Sequence, residues 1–99
     1  MKCDKKLKLF NLLQFWVYYN FHVRELKLQV DQHPLNSSSY DFEIALTTLD
    51  AIFEHDLEEL KKLLEKYGFK LTRFDFEISP DEEKLLFVEI RGVVEEKND

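Results

Sequence analysis

Apolar residues at Phe42, Ala45, Leu46, Leu49, Ile52, Phe53, Leu57, Leu60, Leu63, Leu64 and Tyr67 recur at steps of three and four. That is the helical period, and it predicts a long helix on 41–67. Asp50, Glu54, Glu58, Lys62 and Glu65 mark its solvent face. Asp56 followed by Glu59 is a capping-box-like pair, so the pattern fits either one unbroken helix or two, 41–54 and 57–67, divided near His55. Gly68 stands where a left-handed residue closes a helix.

Beyond Gly68 the period changes to two. Phe74, Phe76 and Ile78 alternate with Arg73, Asp75 and Glu77, and Leu86, Val88 and Ile90 alternate with Phe87, Glu89 and Arg91. The polar run from Ser79 through Pro80 and Asp81 to Glu83 reads as the turn of a β-hairpin. Pairing Ile78 with Lys84 sets Phe76 against Leu86, Phe74 against Val88 and Arg73 against Glu89. A slip of two opposes Arg73 to Arg91, so the first register is expected.

Near the N-terminus Phe15, Val17, Tyr19, Phe21 and Val23 alternate and predict a strand on 15–23. Leu26, Leu28 and Val30 alternate in the opposite phase, which calls for a bulge near Arg24 and Glu25 or for two strands. Residues 5–13 fit a short helix or a strand. Residues 31–39, with Pro34 and three serines, read as a loop. No internal repeat is visible.

These elements predict one α+β domain on residues 1–99, with 1–6 and 95–99 flexible. Its small antiparallel or mixed β-sheet has three to four strands, and one long helix, whole or broken, packs on one face. A right-handed helical crossover makes the N-terminal strand and the strand after Gly68 parallel, and the late strand on 85–94 is expected between those two, antiparallel to both. One helix leaves the other sheet face bare, which predicts a homodimer. On a strand from Phe15 to Val23 the even positions point away from the helix. Trp16 and Tyr18 are therefore the expected interface centre.

Charge narrows the partners. Residues 1–30 carry six bases and two acids, while 31–99 carry eight bases and eighteen acids. Such a body repels phosphate, so only the basic N-terminal arm is suited to nucleic acid. The single cysteine, Cys3, excludes an internal disulfide and any multi-thiolate zinc site. No apolar run reaches the ~18–20 residues of a membrane span. Asn11, Gln14 and the tyrosines interrupt the outline of a leader, so a cytoplasmic rather than secreted protein is expected.

Candidate chemistry is sparse. His55 and Glu59 lie four apart on the predicted helix, but no second histidine follows at ligand spacing. Pro80-Asp81 followed by Glu89-Ile90-Arg91 resembles the Pro-Asp…Glu-x-Lys pattern of metal-dependent nucleases. Arg91 stands in place of the lysine, and arginine does not release its proton. Neither a catalytic residue nor a cofactor is assigned, and a non-enzymatic structural or interaction protein is the preferred function. A hydrolase using Asp81 and Glu89 is the alternative.

As a whole chain of 99 residues, rich in Lys, Glu and Phe, the sequence resembles the small orphan proteins of filamentous viruses that infect hyperthermophilic archaea. The resemblance implies a virus-encoded, thermostable, dimeric protein in the host cytoplasm. It carries over no functional residues.

Overall fold

Wherever apolar residues occupy most positions, periods of two and of 3.6 fit equally well, and here tertiary packing decides between them. The computed structural model describes residues 2–52, 54–81 and 84–97, with side chains from Lys5 onward. The elements are α1 (Lys2–Asn20), β1 (Val23–Gln32), β2 (Ser39–Thr48), α2 (Glu54–Lys66), β3 (Phe69–Pro80) and β4 (Leu86–Glu96). One four-stranded sheet has the order β1-β2-β4-β3, with every neighbouring pair antiparallel. The fold is α+β as expected, with two helices rather than one.

The segment predicted as strand 15–23 is the C-terminal half of α1. Leu9, Leu13, Trp16 and Val17 are buried, whereas Phe15 and Tyr19 are exposed, which is a helical spacing. The ladder runs on to Phe21, whose N–H donates to the Val17 carbonyl at 3.0 Å. The Asn20 side chain donates to the Trp16 carbonyl at 2.9 Å and closes the last turn. Conversely, most of the helix predicted on 41–54 is strand β2. Tyr40, Phe42, Ile44, Leu46 and Thr48 alternate onto the buried face between β1 and β4. Only α2 survives of the long helix. Glu54 and Asp56 lie in its first turn, Lys66 lies in its last, and Gly68 follows at φ +93°. Regular structure extends into both ends expected to be flexible, since α1 starts at Lys2 and β4 ends at Glu96.

β4 is antiparallel to both its neighbours and lies inside the sheet, as expected, but it sits between β3 and β2, and β2 takes the place expected for the N-terminal strand. The hairpin register differs by four residues from the expected one. Ile78 pairs with Val88, Phe76 with Ile90, Phe74 with Gly92 and Asp75 with Arg91. This places Gly92 between Phe42 and Phe74, where the Phe42 ring occupies the space a side chain would need. Glu77 then opposes Glu89, and Arg91 offsets that repulsion by donating to Glu89 at 3.0 Å.

The chain folds as one unit used twice: helix, two-residue connection, strand, hairpin, strand. A pseudo-two-fold axis passes by the Ile44–Ile90 pair. A bulge interrupts β1 between Val23 and Glu25, and its counterpart interrupts β3 between Leu71 and Arg73. α1 and α2 cover one sheet face, enclosing a core that includes Leu9, Leu13, Trp16, Leu60, Leu64 and Phe69.

Two hydrogen bonds pin the ends of β2. The Asp50 carboxylate accepts the His22 backbone N–H at 2.5 Å and faces His22 Nδ1 at 3.2 Å. The backbone bond first, and the imidazole second, hold its pKa below the ordinary value against an opposing desolvation. At the other end Tyr40 donates to Glu96 Oε1 at 2.9 Å. Burial, then that bond, then the Glu96 charge push the phenol from 10.0 to about 12. A raised folded-state pKa gives stability that is complete below 10.0 and is lost as pH rises toward 12. Urea midpoints of wild type should therefore fall more steeply above pH ~10 than those of Tyr40→Phe. Parallel curves would show that the phenol is unperturbed.

Candidate interaction surface

α1 carries no charged residue from Leu9 through Asn20. A helix lacking a charged face is normally buried all round, but the sheet covers only one side of this one. The other side presents Leu7, Phe15 and Tyr18, each more than half exposed, and Tyr19, three quarters exposed. Phe15 and Tyr19 stack with ring centroids 5.6 Å apart. Shallow concavities follow this side, one between Leu7, Leu12 and Tyr67 and another between Gln14, Phe15 and Tyr18. Leu49, also exposed, prolongs the surface past Tyr18 through a hollow of about 690 Å³. Lys8 closes its other end, its Nζ 5.9 Å from the Tyr67 ring centroid.

The two residues expected at the interface part company. Trp16 is 2% exposed. Its indole N–H donates to the Asp56 carbonyl at 3.1 Å and its ring meets Phe21 edge-on. Strand alternation had paired Trp16 with Tyr18, but a helix turns them ~200° apart, so one enters the core and the other faces out. Phe15, Tyr19 and Leu7 join Tyr18 on the surface. The signal for them was present in the sequence, in the uncharged run that no amphipathic pattern interrupts.

The remaining candidates are dispersed. Asp81 sits at the tip of the β3–β4 hairpin, its N–H bonded to the Leu85 carbonyl. Glu89 pairs with Glu77 farther down the ladder. Four residues along the strand separate the two carboxylates, roughly 13 Å. His55 Nε2 lies 3.3 Å from Asp56 Oδ1. Among the described residues no group of three or more His, Cys, Asp or Glu side chains is placed to hold a metal ion. His33 accepts the Leu35 N–H within its hairpin loop. The Cys3 side chain lies outside the described residues.

The open sheet face holds a second concavity, about 430 Å³, bordered by Asp31, Asp41, Glu43, Arg73, Asp75 and Arg91. Arg91 is committed there to Glu89 and Glu43, which raise its pKa further. Among the described residues no helix is long and apolar enough to cross a membrane. The chain matches no family model, no curated protein and no solved structure with which it was compared.

Proposed function

We propose that this is a non-enzymatic interaction protein that self-associates through the outer face of α1. The observation that carries the reading is the exposed cluster of Leu7, Phe15, Tyr18 and Tyr19 on a helix uncharged over its last three turns. At ~200 Å² per side chain, their exposed fractions sum to on the order of 500 Å². A stable interface needs ~800 Å² per partner, which the flanking Lys8, Asn11 and Gln14 bring within reach. Self-pairing is favoured by charge. The described side chains of α1 include Lys5, Lys6 and Lys8 and no acid. An antiparallel pair places each lysine cluster at the carbonyl end of the opposing helix, whereas a parallel pair would bring the lysines together.

Replacing Phe15 and Tyr18 with Glu together should halve the particle mass in light scattering while leaving the circular dichroism spectrum intact. Two burial-competent aromatics at an interface centre are worth ~2 kcal/mol or more each, so the loss should be complete at micromolar concentration. An unchanged mass refutes the reading.

A further inference from the structure

The two halves of the fold are covered unequally. Phe74, Phe76 and Ile78 in β3 correspond by the pseudo-two-fold to Leu26, Leu28 and Val30 in β1. In the first half α1 has 19 residues, ~29 Å, against a β1 strand of 10 residues, ~34 Å. In the second half α2 has 13 residues, ~20 Å, against a β3 strand of 12 residues, ~40 Å. α2 returns over the start of β3 and its cover ends near Phe74, where Leu57 meets Leu71 and Phe74 at the sheet edge. Phe76 and Ile78 lie beyond it, 45% and 40% exposed on the helix-bearing face. β3 is also an edge strand, with one row of backbone groups unpaired.

We propose that the β3 edge pairs antiparallel with the β3 edge of a second copy, about a two-fold axis at Phe74. That register places Arg73 opposite the partner's Asp75, twice, on the open face of the sheet. Arg73 has no ion-pair partner among the described residues, so each contact adds an opposite-charge pair. Centring the axis on Asp75 instead would oppose two carboxylates. The chosen register brings Phe76 to the partner's β3 bulge between Leu71 and Arg73. The hollow at the α2 flank, about 260 Å³ and lined by Leu57, Leu71, Thr72 and Phe74, lies there. Each copy thus supplies the cover that the other's short α2 lacks, and the product is a continuous eight-stranded sheet.

This surface is separate from the outer face of α1. With both in use, assembly exceeds a dimer, because each copy contacts two others. Sedimentation of four proteins at high micromolar concentration tests the proposal: wild type, Phe15→Glu with Tyr18→Glu, that double variant with Phe76→Asp added, and Arg73→Asp. The double variant should remain a dimer, and adding Phe76→Asp should make it monomeric. Arg73→Asp, which leaves the apolar surface untouched, should weaken self-association of β3 by ~tenfold or more. If the double variant is monomeric while wild type is dimeric, the β3 pairing is overturned and the α1 reading stands. If Phe76→Asp and Arg73→Asp leave the mass and its concentration dependence unchanged, the β3 pairing is likewise overturned. A monomeric wild type overturns both.

Discussion

Trp16→Ala should lower stability by about 3–5 kcal/mol, the range for deleting a buried large aromatic. The indole is enclosed between α1, Phe21 and the start of α2, and its N–H satisfies the Asp56 carbonyl. Truncation leaves a cavity and removes the side-chain hydrogen bond that ties α1 to the first turn of α2. Small domains are stable by only ~5–15 kcal/mol, so the variant should be near unfolding at room temperature. Trp16→Phe keeps most of the volume and loses the hydrogen bond, costing about 1–2 kcal/mol. Tyr18→Ser, two residues away, should change the stability of the monomer, compared in the Phe15→Glu background, by less than ~0.5 kcal/mol. Urea unfolding with an unchanged slope decides, and equal effects at 16 and 18 would contradict the helical placement of this segment.

Gly92→Ala is expected to cost about 2–3 kcal/mol, and Gly92→Val more. A Cβ at this position would lie 2.5 Å from Phe42 Cζ, 2.6 Å from Cε2 and 2.9 Å from the Arg73 carbonyl oxygen. Such distances oblige the central strands to separate or the Phe42 ring to move, and the ring is packed in the core. A glycine in a strand interior normally weakens it, so its presence here reflects the close approach of that ring. Combining Gly92→Ala with Phe42→Leu should cost less than the sum of the two single changes, because the shorter side chain vacates the space. Additive effects, or an unchanged midpoint for Gly92→Ala, would place Phe42 elsewhere.

Both predictions fall on residues the sequence left undistinguished. Trp16 stands in a run where neighbours on every side are apolar, so helix and strand each found a consistent face. Gly92 looks like a weak point in a strand until the register with Phe42 and Phe74 is known. The hairpin register failed for a related reason. Side-chain charges preferred Arg73 against Glu89, but such pairs contribute less than ~1 kcal/mol. The observed register sets the Phe74 ring beside Gly92, which has no side chain, and keeps an opposite-charge pair in Asp75 and Arg91.

Several features were fixed locally and could be read before any tertiary contact was known. The strands at 74–78 and 86–90 alternate with charged residues that can only face water. The helix ending at Lys66 combines a clean polar face with Gly68 at its left-handed stop. Each is an element with one dry side and one wet side, so its own pattern specifies its period. The α+β class followed from these. Tertiary structure decided the rest: α1 in place of a strand, β2 in place of a helix, and which aromatics of 15–19 face out. In α1 apolar residues fill both candidate faces, whereas in β2 the alternation of Tyr40, Phe42, Ile44 and Leu46 with Asp41, Glu43 and Ala45 competes with helical steps that run on to Leu49 and Ile52. Only the layer each side chain finally packs against, two helices over one face of a duplicated sheet, selects the period.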